Sequence, residues 1–520
     1  MTVRTKQELY DRFSSGGSAK HNISQIEQNY EDLIDSIGTV GTITVAASDA
    51  SDASKVEADY LCDGTADNIQ IQAALDALPA VGGKVVLSEG TFTITTGITE
   101  TSDNVHIQGA GMGATVIVPA DAITAFTFDG APFGSLSDLS ISAASQQSSG
   151  GGVHWYKNSY QMHLDRIFTN NLYNAVVVES WIVSSGVSQI QAGWIDDCIF
   201  WETKNDVIWA KRFVGLWIES CTAWNTTDSV TGIHWSGGTT PWASEALWIR
   251  YCDFMQCGIG FNIDNTDGNA TLAFLELDNT GFDTCKDAGV WITGSNTIWQ
   301  LQFNSLWCSG CTTGHGVGIY NATGLTACIF SSPRLQGNYN SGLMANSGND
   351  IQVIGGIITD NNQEDSVTEA AKHGIYLYAG TDISIVGVRI GDLVGTGNQD
   401  YGIYLESGVT RVMVQDCNLL DNALGGLYAA DWTDTMARNN YGTVTENSGT
   451  ATILSGQTTL AVAHGLSTTP TVVNIAFREQ GTSDFGRWWV DTIGAANFTL
   501  NVSADPGASN LDFAWEAKVR

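Results

Sequence analysis

Acidic residues follow tryptophans at a repeated spacing in the middle of the chain. Three segments read Gly-Trp-Ile-Asp-Asp-Cys, Leu-Trp-Ile-Glu-Ser-Cys and Leu-Trp-Ile-Arg-Tyr-Cys, and the first two contain Asp196, Asp197 and Glu219. If Asp196 and Glu219 lie on neighbouring strands, their carboxyl groups stand about 5 Å apart, as the acid/base and the nucleophile do in a retaining glycosidase. These three acids are therefore the predicted catalytic residues. The alternative is a structural ladder in which the acids cap backbone N–H groups and pair with Arg250.

The tryptophans of the same segments are the predicted contacts to a sugar. Strand alternation places the isoleucines and cysteines inside and Trp194, Trp217 and Trp248 outside, in a column that Glu276 continues. Aromatic residues stacked on an outer face indicate a covered or binding surface, and flat rings can stack on sugars. The alternative is an interface between subunits, which would bury the same rings. That alternative is favoured for part of a second outward column, which is rich in tyrosine.

These segments are copies of a longer repeat that must position them. The template is apolar-x-apolar-x-x-apolar-x-apolar, and successive copies start roughly 23 to 32 residues apart between residues 162 and 419. The two adjacent x positions predict a turn between two short strands. No helical period separates the copies, so the repeat predicts an all-β fold, a right-handed parallel β-helix with one repeat per rung. Neighbouring rungs should stack at about 4.8 Å.

The two ends of the chain differ from the repeat. Residues 1–60 are predicted to form an N-terminal helical attachment arm that ends in a linker over 39–60. The alternative for its helix is one that simply caps the domain. Residues 61–447 are predicted to form the β-helix, with an amphipathic helix from Ile69 covering its open end. Residues 448–520 contain short strands and turn signals, which predict a C-terminal β-sandwich for trimerisation or glycan binding.

Charge and composition exclude several classes of partner. The chain has 520 residues and a net charge of −33, so nucleic acid and anionic membranes should repel it. No apolar run approaches the length of a membrane span, so we expect no membrane insertion. The N-terminus lacks the apolar core of a signal peptide, which argues against export by the usual route. The ten cysteines fall mostly on inward positions, which predicts buried thiols. No cofactor and no metal site are predicted, because Cys308-x-x-Cys311 has no second pair of ligands.

Four motifs near the N-terminal end carry a family resemblance. In order they are DGTxDN from Asp63, IQxAL, GGKVVLxEGTF from Gly82 and NVxIxGxG from Asn104. They resemble the N-terminal signature of the pectate-lyase-like superfamily of right-handed β-helices, which includes many viral tailspikes. The resemblance implies a homotrimeric phage-type spike, made in the host cytoplasm and attached to virion tail or capsid proteins through its N-terminal arm. Its ligand would be a host cell-surface glycan.

Three functions stay open under this resemblance. The first is a spike that recognises the glycan and, as an enzyme, hydrolyses it. The second is a non-enzymatic tail fibre or capsid-surface adhesin. The third is a free-standing polysaccharide lyase or hydrolase. The stretch Trp194–Cys198 resembles the WIDHC motif of pectate lyases, but Asp197 replaces the histidine and no Arg-Pro-Arg element follows, so the sequence argues against a lyase.

Overall fold

The computed structural model describes residues 41–180, 191–225, 227, 229–237, 244–266, 271–363, 372–393, 398–432, 434–478, 485–507 and 509–519. The predicted N-terminal helical arm lies outside these residues. Most of the described chain coils into a parallel β-helix, as predicted, and each rung contributes to three sheets that we name A, B and C. Several long strands run through the corner between two sheets.

Sheet A contains the strands of the tryptophan-isoleucine template. Its strands, in order, are Thr42–Ala46, Gly83–Leu87, Val105–Gln108, the first parts of Ser135–Ser142 and Met162–Asn170, Gln191–Asp196, Val214–Glu219, Ser244–Arg250, Leu272–Asp278, Ile298–Asn304, Leu325–Ser331, Asn349–Ile354, the last parts of Ile375–Val386 and Tyr401–Gln415, and Thr435–Arg438. The short strand Tyr60–Leu61 pairs with the first of them.

Sheet B is built mainly from strands of three residues. Its strands are Gly90–Ile94, Thr115–Pro119, the last parts of Ser135–Ser142 and Met162–Asn170, Ile199–Trp201, Thr222–Trp224, Asp253–Met255, Gly281–Asp283, Trp307–Ser309, Arg334–Gln336, Ile357–Thr359 and Arg389–Gly391.

Sheet C contains strands in which a glycine often precedes a buried apolar residue, as in Gly232-Ile233 and Gly289-Val290. Its strands are Ile98–Glu100, Thr124–Asp129, Gly151–Lys157, Asn174–Ser180, Asp206–Lys211, Thr231–Ser236, Ile259–Asp264, Ala288–Thr293, His315–Tyr320, Leu343–Ala345, the first parts of Ile375–Val386 and Tyr401–Gln415, and Gly425–Ala429.

A single residue in the left-handed conformation turns the chain from sheet A into sheet B. These corner residues include Asp138, Arg166, Asp197, Ser220, Tyr251, Asn279, Ser305, Ser332, Asp416 and Asn439. The left-handed residue interrupts the strand alternation, so the side chain after it points inward again. This is the turn that the two adjacent x positions predict, and it explains why Cys198, Cys221 and Cys252 are buried.

The inside of the β-helix is a continuous hydrophobic core. Ile195, Ile218 and Ile249 are fully buried in it, as predicted from the alternation. All ten cysteines are buried and free, as the sequence predicts. Burial raises the pKa of the Cys311 thiol to about 12 and that of Cys308 well above its ordinary value, so both thiols stay protonated at neutral pH.

The N-terminal end of the β-helix is closed by the helix Asn68–Asp76. Ile71, Ala74 and Leu75 on this helix are buried. Asp67, the residue before the helix, accepts hydrogen bonds from the Gly64 and Thr93 N–H groups, each at 2.8 Å. The carboxylate therefore joins the loop, the helix and the strand Gly90–Ile94 at the end of the fold.

The β-helix begins earlier in the chain than the sequence indicates. The predicted linker over 39–60 contains the strand Thr42–Ala46, which pairs in parallel with Gly83–Leu87, and then the helix Asp52–Glu57. The first strand buries only Val45 and Ala46, because it lies at the open edge of the solenoid. Its small and polar residues therefore resemble a linker in composition.

The C-terminal residues form two antiparallel three-stranded sheets. One contains Glu446–Ile453, Val472–Phe477 and Leu511–Lys518, and the other Thr459–Ala463, Trp488–Asp491 and Asn497–Val502. Buried residues of both sheets belong to one hydrophobic cluster. The predicted antiparallel strands are thus present, and their assignment to a β-sandwich stays a prediction. Among the described helices, none is long and apolar enough to cross a membrane.

Candidate functional site

Two of the three predicted acids, Asp196 and Glu219, occupy one outward column of sheet A. Asp165, Asp196, Glu219, Arg250 and Asp278 are register partners on successive strands. Parallel strands lie about 4.8 Å apart, so Asp196 and Glu219 have the one-rung separation that the hydrolytic hypothesis requires. We call this column the sheet A ladder.

Each predicted catalytic acid of the ladder has a histidine or arginine partner. His163 Nε2 lies 2.9 Å from Asp196 Oδ2. Arg250 lies 3.6 Å from Glu219 Oε1 and 3.3 Å from Glu276 Oε1. The structural alternative considered from the sequence is therefore present in part, because Arg250 joins acids of neighbouring rungs. The side chains of Asp196 and Glu219 nevertheless keep 27% and 28% of their surface exposed.

Asp165 is a site residue that the sequence analysis did not select. Burial raises the pKa of the Asp165 carboxyl above the ordinary value of an aspartate. Arg166 forms a direct ion pair with Asp165, and Arg166 and His163 both lower this pKa, each by less than burial raises it, while Asp196 adds to the increase. A carboxyl group with a raised pKa is a better proton donor near neutral pH. Its position one repeat before Asp196 was the available signal.

Asp197 is placed apart from the other predicted acids. It is the left-handed corner residue, with φ 49°, and its side chain is exposed. Its backbone N–H donates to the Glu219 carbonyl oxygen at 3.2 Å. Asp197 is therefore outside the strand register that joins Asp196 and Glu219, and its observed contact is structural.

The three predicted sugar-binding tryptophans stack on one another. The rings of Trp194 and Trp217 are 5.1 Å apart at 14°, and those of Trp217 and Trp248 are 4.4 Å apart at 6°. Both faces of Trp217 are covered, and only 3% of this residue is exposed. A sugar ring therefore cannot stack on Trp217. Contact with this column is left to the indole edges and to Trp248, which is half-buried beside Glu276.

Two buried polar atoms beside the ladder are unsatisfied. Neither Trp217 Nε1 nor Asp196 Oδ1 has a hydrogen-bond partner among the described residues. Burying such atoms without a partner is costly, so they lower the stability of the ladder. The ladder thus offers partly exposed carboxyls, one carboxyl with a raised pKa and one unused indole donor.

A second outward surface was missed by the sequence analysis. On sheet B, 45% of Trp201, 47% of Trp224 and 40% of Trp307 is exposed. The alternation that restarts at the buried residue after each corner would have placed these tryptophans outside. Asp253 and Asp283 lie among them.

The described residues give no sign of a metal centre at either surface. No group of three or more His, Cys, Asp or Glu side chains in this part of the chain is arranged to hold a metal ion. A cavity of about 930 Å³ lies at the last rung, where Arg411 and Arg438 face Glu446 and Lys518 of the C-terminal sheets.

Comparison with known proteins gives a match to the fold. Residues 288–465 match the family model described as right handed beta helix region, in agreement with the predicted fold and with the coiling of sheets A, B and C. No curated protein matches the chain.

Several solved structures are similar to the chain at low sequence identity. The mannuronan C-5 epimerase AlgE6 A-module of Azotobacter vinelandii is 15% identical over 73% of this chain and 96% of its own, with a TM-score of 0.48. The Dettilon tailspike protein is 13% identical over 88% and 92%, with a TM-score of 0.44. Tailspike protein 3 of bacteriophage CBA120 is 15% identical over 79% and 62%, with a TM-score of 0.47. The function of this chain is therefore argued from its own surface residues.

Proposed function

We propose that this protein is a virion spike of the tailspike type that binds a host cell-surface glycan and hydrolyses it at the sheet A ladder. The observation that carries the proposal is the register of Asp165, Asp196 and Glu219 on three successive, partly exposed rungs. Neighbouring rungs give the separation of about 5 Å that retaining glycosidases use.

Asp196 is the central residue of the proposed reaction, because it is one rung from both other acids. Asp165 donates its proton to the glycosidic oxygen as the bond to the anomeric carbon breaks, and its raised pKa favours this role. Asp196 attacks the anomeric carbon and forms a glycosyl ester. Water then hydrolyses the ester, with the Asp165 carboxylate taking the proton from the water. Glu219 is the alternative partner of Asp196 in the same chemistry.

Side chains around the ladder would orient these acids and the sugar. His163 fixes one oxygen of Asp196, and Arg250 holds Glu219. Trp217 is buried between its two neighbours, which would leave Trp194 and Trp248 as edge contacts to the ligand. Glu276 is held by Arg250 and lies at the end of the tryptophan column, where it can accept a hydroxyl hydrogen bond.

The second candidate is a non-enzymatic adhesin. It is favoured by the ionic partners of Asp196 and Glu219, which resemble a structural ladder. An Asp196→Asn variant separates the two functions, because it keeps the shape of the site and removes the nucleophile. The hydrolase hypothesis predicts release of reducing ends from bacterial surface polysaccharides by the wild type, and none by the variant, which still binds. If the wild type binds a glycan and releases no reducing ends, the adhesin is correct.

A homotrimer in the virion is part of the proposal. On sheet C, Tyr404 and Tyr428 stack at 4.4 Å, and 38% of Tyr428 is exposed. Such an aromatic column suits an interface between copies. Light scattering should give three times 55.5 kDa, in a species that resists mild heating in detergent. A monomer of 55.5 kDa would instead favour a free-standing glycan-active enzyme.

A further inference from the structure

Five residues of sheet B form a surface that the sheet A chemistry does not use. We define the sheet B patch as Trp201, Trp224, Asp253, Asp283 and Trp307. Trp201 and Trp224 are register partners, and Asp253 and Trp307 are the register partners of Gly281 on either side. Four rung intervals separate Trp201 from Trp307, so the patch extends about 19 Å along the β-helix axis.

The indole faces of the patch are open to solvent. The rings of Trp201 and Trp224 meet edge to face, at 73° and 6.3 Å, so each leaves ring surface uncovered. The Trp224 N–H donates to the Gln256 side-chain oxygen, which holds the ring in place although nearly half of the residue is exposed. A fixed, exposed ring binds a flat apolar surface with little loss of conformational freedom.

Asp253 and Trp307 lie on either side of a glycine, Gly281, which has no side chain to separate them. A methyl group built on Gly281 would be 3.0 Å from Asp253 Oδ1 and 3.4 Å from the Trp307 ring, so both side chains lean over the glycine. Asp253 Oδ1 is buried and has no hydrogen-bond partner within the described chain. Burial and the nearby Asp283 raise the pKa of Asp253. A buried carboxyl oxygen with no partner thus lies beside an exposed indole ring.

We infer that the sheet B patch is a binding site for a neutral polysaccharide chain. Sugar rings offer an apolar face to the tryptophans and hydroxyl groups to Asp253, which is the pairing of apolar surface and few polar groups that ligand sites use. Asp253 and Asp283 would repel uronates and other anionic sugars, as would the net charge of −33. Contact with the same patch of a second copy would bring these acids together.

This inference rests on the glycan binding of the proposed function and does not require hydrolysis. The patch would hold the polymer on sheet B while the sheet A ladder, on the other side of the same corners, acts on a neighbouring stretch. A long glycan would then depend on both surfaces, whereas a short oligosaccharide would need only sheet A.

The test is binding of the labelled full chain to a microarray of bacterial capsular and O-chain polysaccharides, with neutral and uronate-containing members. We expect binding to at least one neutral polymer. Trp224→Ala and Trp307→Ala should each weaken it roughly tenfold or more, as loss of an aromatic anchor does. Asp253→Asn should weaken it less. Tyr441→Ala is the matched control, because Tyr441 is 71% exposed on the last rung of the β-helix, several rungs from the patch, and it should bind as the wild type does.

Three results would overturn the inference. They are binding to no neutral polymer, binding that the Trp224 and Trp307 variants leave unchanged, and a fall in native mass in those variants, which would make the patch an interface between copies. The Asp196→Asn variant distinguishes a failure of this inference from a failure of the proposed hydrolysis. If that variant binds the array as the wild type does and releases no reducing ends, both proposals are supported. If the Trp224 and Trp307 variants bind as the wild type does, only the binding site on the sheet B patch is contradicted.

Discussion

Sheets A and B share the same rungs and differ in what their outward side chains contact. On sheet A, Trp217 is covered on both faces and the acids have ionic partners. On sheet B, Trp201 and Trp224 meet edge to face, and nearly half of each residue is exposed. The difference shows that an aromatic or acidic column is not by itself a binding surface. What matters is whether side chains of neighbouring rungs already cover each other's rings and pair with each other's charges.

The largest expected difference concerns two glycines. Gly193 on sheet A has φ +137°, and a Cβ there would overlap the carbonyl oxygen of Met162. Gly193→Ala should therefore lower the free energy of unfolding by about 4 kcal/mol, through strain and steric overlap. Gly281→Ala on sheet B faces only side chains, so we expect a loss of about 1 kcal/mol and weaker glycan binding. Urea unfolding of both variants makes the comparison, and equal losses would contradict it.

Removal of a tryptophan should lower stability much more on sheet A than on sheet B. Trp217→Ala deletes a buried ring from a stack and should cost about 3 kcal/mol of stability. Trp224→Ala should cost less than about 1 kcal/mol, because the ring is largely exposed. Calorimetric unfolding midpoints check this prediction. It fails if Trp224→Ala shifts the midpoint as much as Trp217→Ala does.

Removal of an arginine should have a smaller effect, and again the loss of stability should be larger on sheet A than on sheet B. Arg250 is within 4 Å of Glu219, Glu276 and Asp278, so Arg250→Met leaves three clustered acids without their cation. We expect a loss of about 2 kcal/mol, which discounts the buried-pair value for partial exposure. Arg334→Met, at an exposed position on sheet B, should stay within about 0.5 kcal/mol. Similar losses in the two variants would show that the ladder is not coupled.

The smallest expected effect is on pH dependence. Because the folded-state pKa of Asp165 is raised, folding favours its protonated form, and the free energy of unfolding should fall as pH rises from the ordinary value near 3.8 through the folded pKa. Asp165→Asn should flatten this part of the curve by less than about 1 kcal/mol. Cleavage should decline over the same rise in pH, because the proton donor is lost. If Asp165→Asn shows the same decline in cleavage with rising pH as the wild type, Asp165 is not the proton donor.

The sequence predicts those features that depend on one rung at a time. The strand period, the corner residue and the inward cysteines follow from alternation, and the constant repeat predicts that Asp196 and Glu219 are neighbours. Features that depend on contacts between rungs do not follow. Alternation places Trp217 outside but is silent on the two rings that cover it, and it does not show that burial raises the pKa of Asp165.

Two further differences have simple physical reasons. The strand Thr42–Ala46 was assigned to a linker, because an edge strand buries few of its side chains. The same alternation argument predicts that the tryptophans of sheet B point outward, if the alternation is restarted after the left-handed corner residue. Trp201 and Trp224 occupy the same position in successive repeats, three residues after a buried cysteine.

The most direct test of the proposed hydrolysis is the configuration of the first product. The wild-type protein would be incubated with a surface polysaccharide that it binds, and the anomeric proton of the new reducing end would be followed by NMR from the first minutes. Acids on adjacent rungs predict that the released sugar first appears with the anomeric configuration of the substrate. An inverted sugar, an unsaturated end group or the absence of any product would contradict hydrolysis by Asp165 and Asp196.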